Sequence, residues 1–241
     1  MLSIIIPTYN EEKLIAATLG TLKSTLTLPH EIIVSDGGST DRTVELAKPY
    51  ASKVVTASEP GRPTVSQGRN AGAGIAAAGE FYIFLDADCA IPEPDRFFTR
   101  AMSRFAADPH LVGLSVCLRG FPTEETLGDR IVFGIANLAL RFWNNVLNRG
   151  HAFGAFQMIR QDAFKRLGGY RAELVTIEDG DMFHRLAKIG RIRIEPELTV
   201  LHSRRRNTQI GWPRQILIAA FNFVSVRVRN RAFSKQWRAI R

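Results

Sequence analysis

Two aspartates separated by one residue, Asp86 and Asp88, close an apolar run, Phe81-Tyr82-Ile83-Phe84-Leu85. When both are ionised they repel each other, and a hard divalent cation relieves that repulsion. Mg²⁺ and Mn²⁺ prefer oxygen ligands and often share one or two carboxylates with substrate phosphates. The plainer reading of the pair is a solvated Asp-x-Asp turn or a helix cap. Asp36 follows Glu31-Ile32-Ile33-Val34-Ser35 and precedes Gly37-Gly38. Its carboxylate could accept from a ribose hydroxyl or a base N–H, or serve only as an Asx-turn acceptor. Thr8 could satisfy the loop after the first apolar run, and Glu11 could favour a helix start. Arg69 stands among small residues in Gly68-Arg69-Asn70-Ala71-Gly72. It could approach a phosphate or a base closely, or form a surface ion pair. Glu178, Asp179 and Asp181 crowd one helix start; they offer a general base or merely complement the helix dipole. His202 precedes Ser203 and Arg204-Arg205-Arg206. It could ligate a metal or touch a diphosphate, and the arginines could clamp a leaving diphosphate. The alternative there is a capped strand end followed by a solvated basic loop.

These residues need elements to hold them. Leu2–Ile6, Glu31–Ser35, Lys53–Thr56 and Phe81–Leu85 read as strands. They alternate with helices from Asn10 to Ser24, Thr40 to Ala47 and Gln67 to Ala78, the first two capped by Asn10 and Thr40. Such alternation predicts an α/β fold, a mostly parallel sheet with helices on both faces. Open α/β sheets bind ligands beyond the carboxyl ends of their strands. The segments from Pro7, Asp36 and Asp86 all fall there. In the second half, helices are expected over Pro94–Ala106, Ile131–Leu147, Asp162–Leu167, Asp179–Lys188 and Ile210–Val226. Strands are expected over Leu111–Leu118, Arg191–Glu195 and Leu198–Leu201. Asn137, Arg141, Asn144 and Asn148 share one face of the 131–147 helix.

A chain of 241 residues can bury the core of one large α/β domain. Its 45% hydrophobic and 23% charged content is ordinary for a globular protein. Cys89 and Cys117 are too few for a disulfide framework and fit a reducing compartment. No signal-peptide pattern and no apolar run near the roughly 18 residues of a membrane span are visible. A cytoplasmic location is therefore expected, with the cytoplasmic face of a membrane left open. The formal charge is +9, and no acidic residue follows Glu197. That tail carries Arg204, Arg205, Arg206, Arg214, Arg227, Arg229, Arg231, Lys235, Arg238 and Arg241, and so attracts anions. Ile131, Phe133, Ile135, Leu138, Phe142, Trp143 and Val146 give the 131–147 helix an apolar surface. Ile216, Leu217, Ile218, Phe221 and Phe223 do the same near the C-terminus. Basic amphipathic segments of this kind lie on anionic membranes, while core packing or a homodimer interface would use the same residues.

Taken together, the motifs resemble glycosyltransferase family 2, inverting enzymes of GT-A fold. The resemblance rests on Ile4-Ile5-Ile6-Pro7-Thr8-Tyr9-Asn10-Glu11, Glu31 to Asp41, Arg69-Asn70-Ala71-Gly72, Phe84-Leu85-Asp86-Ala87-Asp88, and Phe164 to Tyr170 followed by Glu178-Asp179. It covers residues 1 to about 202. It implies a Rossmann-like GT-A domain over 1–207, with a nucleotide-sugar half (1–118), an acceptor-side half (119–207), and a basic amphipathic helix and tail (208–241). It implies Pro7, Thr8, Tyr9, Glu11, Asp36 and Arg69 in the nucleotide pocket, with Asp86-Ala87-Asp88 beside them and Arg204 on the diphosphate. Asp88 would bind Mn²⁺ or Mg²⁺, Asp86 would contact ribose or metal-bound water, and His202 would add a ligand. Asp179 would be the base, with Glu178 the second candidate. The implied donor is a UDP-sugar, then GDP-mannose; the acceptor is a hydroxyl, open to a lipid-linked one. The Gln-x-x-Arg-Trp signature of processive members is missing, since Gln209-Ile210-Gly211-Trp212 does not fit it. Transfer of a single sugar is expected, and no nucleic-acid partner. Two competing readings remain: a sugar-phosphate nucleotidylyltransferase, whose Gly-x-Gly-x-Arg loop is lacking after the first strand, and a non-enzymatic nucleotide- or nucleic-acid-binding protein, which leaves the strand-end carboxylates unexplained.

Overall fold

The computed structural model describes residues 1–57, 63–77, 79–229 and 233–234. In chain order the elements are β1 (Leu2–Thr8), α1 (Ile15–Thr25), β2 (His30–Asp36), α2 (Thr43–Ala47), β3 (Lys53–Thr56), α3 (Val65–Ile75), β4 (Phe81–Leu85) and β5 (Cys89–Ala90). They continue with α4 (Pro94–Ala107), β6 (Leu111–Gly120), α5 (Leu127–Arg141), a π-helical turn (Phe142–Val146), β7 (Phe156–Arg160) and α6 (Gln161–Arg166). Last come α7 (Glu178–Leu186), β8 (Arg191–His202), α8 (Arg205–Ile210) and α9 (Trp212–Arg229).

All eight strands form one sheet in the order β3-β2-β1-β4-β7-β6-β8-β5. The first four are mutually parallel. Past β4 the sheet is mixed: β7 runs antiparallel to β4 and β6, while β8 is parallel to β6. Side chains alternate across it as strand geometry requires. Ile4, Ile6, Ile83 and Leu85 pack on one face with Leu19 of α1 and Phe98 of α4. Ile5, Tyr82 and Phe84 pack on the other with Ala73 of α3, Phe164 of α6 and Phe183 of α7. The fold is the mixed α/β GT-A architecture that the family resemblance implies.

Several boundaries differ from expectation, each for a physical reason. Asn10 does not cap α1; it has a left-handed φ of 55°, and its side chain accepts from the Thr40 N–H at 2.8 Å. Thr40 does not cap α2, which starts at Thr43 with Asp41 accepting from the Thr43 N–H. The two expected strands 191–195 and 198–201 are one strand, β8. Its register against β6 jumps from Val116↔Glu195 to Cys117↔Thr199, so the apparent gap is a bulge holding Pro196. The expected C-terminal helix is present as α9 and starts two residues late, because Gly211, at φ 77°, ends α8 just before it. The strand β7 escapes detection because Phe156-Gln157-Met158-Ile159-Arg160 is short and not alternating. Ala78 and the tail positions Arg231, Lys235, Arg238 and Arg241 lie outside the described residues.

Two of the expected face residues, Asn137 and Asn148, meet the strands, joined by Asn145 in place of Asn144, which bonds the His151 backbone instead. Asn137 exchanges two hydrogen bonds with the Leu118 backbone, at 3.0 and 2.9 Å. Asn145 does the same with Ile194, at 2.8 and 2.9 Å. Asn148 accepts from the Ile192 N–H at 3.0 Å and donates to the Ala187 and Gly190 carbonyls. Side-chain amides thus substitute for a missing neighbouring strand, and β6 and β8 keep their backbone groups paired. Asn148 also holds φ 47°, a conformation asparagine tolerates better than alanine. Asn148→Ala is expected to lower unfolding free energy in urea by about 1–3 kcal/mol. Asn148→Gly should recover only the backbone share of that loss.

Candidate functional site

Ligand-binding crevices in open α/β sheets form where strand order reverses. Here that point lies between β1 and β4, with β2 and β3 running off one side. Pro7, Thr8 and Tyr9 sit at the end of β1, and Asp86, Ala87 and Asp88 follow β4. A cleft of about 440 Å³ opens there. Its walls include Pro7, Thr8, Tyr9, Glu11, Arg69, Asp86, Ala87, Asp88, Glu178, Asp179 and His202.

Arg69 organises the floor. A capping box between Thr64 and Gln67 starts α3, and Gly72 lets the helix lie directly on β1. A Cβ at Gly72 would stand 2.5 Å from Ile5 Cγ2. That close approach brings Arg69, 1% exposed, to the strand ends. Its guanidinium donates to Asp86 at 3.2 Å, to Glu178 at 3.1 Å and to the Gly154 carbonyl at 2.9 Å. It also lies over the Tyr170 ring at 5.3 Å. Far from being a surface ion pair, Arg69 is a buried junction of α3, β4, the 150–155 loop and α7. Gly154 is needed for the same crowding: a Cβ there would stand 3.2 Å from Asp179 Oδ2 and 3.4 Å from Arg69 Nη2.

One guanidinium faces three acids, and the balance shows in their protonation. Burial lifts the Asp86 carboxyl above the ordinary carboxylate range; Arg69 opposes the rise and Asp88 adds to it. Burial likewise lifts Glu178, with Asp179 adding and Arg69 opposing. Asp179 is raised by burial against the pull of Arg69. Its carboxylate accepts from the Gly180 N–H at 2.9 Å. These two acids enter the cleft because Ile177, just before them, adopts φ 63° and ψ 13°. A β-branched residue in that region is strained, and such strain gathers at functional sites.

His202 reaches Asp88 through strand pairing. The short β5 begins one residue after Asp88 and pairs antiparallel with the end of β8, matching Cys89 to His202. The His202 Nε2 lies 3.8 Å from Asp88 Oδ1. Ligand atoms of Asp88, Cys89 and His202 lie within 4.8 Å of one another. Burial holds the Cys89 thiol well above its usual range, so it stays protonated. A carboxylate and an imidazole facing the cleft suit Mn²⁺, and the carboxylate alone suits Mg²⁺, with the remaining positions left to phosphate and water. Burial works against the Asp88 charge, but His202 and Arg205 outweigh it and keep the carboxyl low.

Two expected residues are placed elsewhere. Asp36 is buried, accepting from the Gly38 and Ser39 N–H groups at 3.0 and 2.9 Å and from Thr8 Oγ1 at 3.3 Å. Its carboxylate closes the loop instead of lining the cleft. Arg204 lies 3.0 Å from Asp129. Asp129 also accepts from Thr126, Trp212 and Asn207, tying α8 and α9 to α5. Burial opposes its charge, but Thr126, Trp212 and Arg204 bring the carboxyl down to about 2. Arg205 and Arg206 line the cleft in place of Arg204. Sequence reasoning missed Arg205 as a distinct residue, and it missed Gly154 and Tyr170. The run Gly150-His151-Ala152-Phe153-Gly154-Ala155, small residues between two helical patterns, was the available signal. Phe133, expected on the exposed surface, is buried against Trp212 with ring centroids 5.3 Å apart.

Known proteins resemble this arrangement. The sequence pattern described as "Glycosyl transferase family 2" matches residues 3–168. The succinoglycan biosynthesis protein ExoA of Rhizobium meliloti (strain 1021) is 28% identical over 194 residues, covering 78% of this chain. The chain spans 58% of that protein's length. A mannosyltransferase of Pyrobaculum calidifontis, solved with GDP-Man and Mn²⁺, superposes with a TM-score of 0.69 at 20% identity, over 94% of this chain and 64% of that one. Staphylococcus aureus TarS 1-349, solved with UDP-GlcNAc, gives 0.64 at 18% identity, over 98% and 68% of the two chains.

Replacing Arg69 with leucine strands buried Glu178 and half-buried Asp86 and Asp179 without their cation. The expected cost at neutral pH is about 3–5 kcal/mol. Acids whose folded pKa is raised favour the folded state below their unfolded pKa and lose that advantage as pH rises through the raised value. The deficit of Arg69→Leu should therefore shrink as pH falls from about 7 toward about 4, which urea unfolding across that range would measure.

Proposed function

The chain belongs to glycosyl transferase family 2, and from that premise we propose that it moves a single sugar from a nucleotide-sugar to an acceptor hydroxyl, inverting the anomeric carbon. The supporting observation is the meeting of Asp88, Arg69 and Asp179 in one cleft. Asp179 has no Lys or Arg hydrogen-bond donor among the described residues, whereas Glu178 is spent on Arg69. Burial also raises its proton affinity. Asp179 therefore accepts the acceptor proton as that oxygen attacks the anomeric carbon from the face opposite the diphosphate. The Gly180 N–H holds the Asp179 carboxylate, and the Arg69 charge, bound to neighbouring Glu178, stands close by. Asp88 and His202 would hold Mn²⁺ or Mg²⁺, with Asp86 turned to ribose or metal-bound water; the ion, when bound, offsets charge on the leaving diphosphate. Pro7, Thr8, Tyr9 and Ala87 form the nucleotide side. A UDP-sugar is the first donor choice and GDP-mannose the second.

The acceptor we propose is carried on a membrane lipid. Val132, Ala136, Ile218 and Ala219, from α5 and α9, line the cleft. The outer surfaces of the same helices, with the π-helical turn after α5, expose Ile135, Leu138, Phe142, Leu217 and Phe221. Arg130, Arg141, Arg214 and Arg229 lie on those helices, which suits an anionic lipid surface. No helix among the described residues is long and apolar enough to cross a membrane.

A screen of UDP- and GDP-sugars with Mn²⁺ and Mg²⁺ should reveal donor turnover. Asp179→Asn should lower kcat by about 10²–10⁴ while leaving UDP or GDP affinity intact. Near-normal turnover would remove Asp179 from its role. The acid limb of the wild-type rate profile should fall above the ordinary carboxylate range, because Asp179 must be deprotonated. For the acceptor side, the chain should cosediment with phosphatidylglycerol vesicles at low salt, and Leu138→Asp with Phe221→Asp should release it. Dissociation of a solution dimer by the same pair, without vesicle binding, would assign the surface to a second copy.

A further inference from the structure

Arg205 reaches the cleft from the first residue of α8 and bridges two acids. Its Nη2 donates to Asp88 at 2.9 Å and its Nη1 to Glu11 at 3.0 Å. Its Nε is buried and has no hydrogen-bond partner among the described residues. The backbone around it is pinned: the Ser203 N–H donates to the Asp88 carbonyl at 3.1 Å, the Arg205 N–H to Ser203 Oγ at 3.2 Å, and Arg204 holds Asp129. The guanidinium can therefore leave Asp88 by side-chain rotation alone. A divalent cation on Asp88 would stand beside this positive charge and be repelled by it. A diphosphate arriving with the cation offers the guanidinium new acceptors, including one for its orphaned Nε.

We propose that Arg205 is a resident counter-ion of the metal site, which it occupies in electrostatic terms until donor diphosphate draws it away. Resting on the donor-site reading above, this makes the cation and the nucleotide bind cooperatively: each removes a cost the other would meet alone. Arg204, bound to Asp129, takes no part. The arrangement keeps Asp88 and Glu11 neutralised without a metal and links metal capture to the presence of donor.

The test is Mn²⁺ titration of the full chain, followed by electron paramagnetic resonance of the free ion, alone and with UDP or GDP. In the wild type, nucleoside diphosphate should tighten Mn²⁺ binding about tenfold or more. In Arg205→Gln and Arg205→Ala, Mn²⁺ alone should bind about tenfold more tightly than to wild type, and the nucleotide should then add little. Arg205→Lys, keeping the charge, should restore the weak metal-alone binding. Circular dichroism confirms that each variant is folded. Unchanged or weaker binding of Mn²⁺ alone in both neutral variants would overturn the counter-ion role while leaving the donor site standing. A wild type that binds Mn²⁺ with neither nucleotide would overturn both.

Discussion

Arg69 is a buried guanidinium that reaches two carboxylates and a backbone carbonyl, with a third carboxylate close by. Its partners come from β4, from the loop before β7 and from the start of α7, so a single side chain joins the two halves of the sequence. Burying such a group is expensive unless its hydrogen bonds are met, and removing one partner strands the other. The local deficit of positive charge is equally informative. Asp86, Glu178 and Asp179 outnumber the one cation between them, and burial pushes each toward holding a proton. A site in that state accepts protons and positive charge readily, which is the chemistry a proton-abstracting transfer needs.

Much of this could be read in advance, and the reasons are specific. Leu2–Thr8, Lys53–Thr56 and Phe81–Leu85 are short apolar runs bounded by polar turns, so their strands and the polar groups after them were visible. Asp86, Asp88, Glu178 and Asp179 were legible because carboxylates at strand and helix ends are conspicuous in sequence. Asp36 carried the same signal and went elsewhere: two N–H groups of its own loop claim it. Which arginine of Arg204-Arg205-Arg206 faces the cleft was illegible, since adjacent identical side chains differ only by direction. Asp129, about 75 residues upstream in the chain, decides that Arg204 points away. β7 was hidden because its five residues alternate poorly and owe their place to the neighbours they lie between.

The two halves of the sheet hold themselves together differently. In the parallel half, consecutive strands supply each other's backbone partners. In the mixed half the ladder is incomplete, and Asn137, Asn145 and Asn148 fill it from the 127–148 segment. That role fixes the rotation of α5 and the π-helical turn. With the asparagines facing the strands, Ile135, Leu138 and Val146 are turned outward. The exposed apolar surface is thus a by-product of how the sheet edge is satisfied, as well as a surface available for docking.

Ile177 stands at the junction where the chain turns into α7 with a left-handed backbone. Glycine or asparagine would adopt that geometry at lower energy. A selection for heat resistance alone would accordingly favour replacing it. Yet the isoleucine also limits how far the two following acids can wander, because a flexible glycine would widen the conformations open to them. The position therefore sets thermal robustness against the fixed aim of a carboxylate, and a hardened version of the protein would be expected to surrender some of that aim.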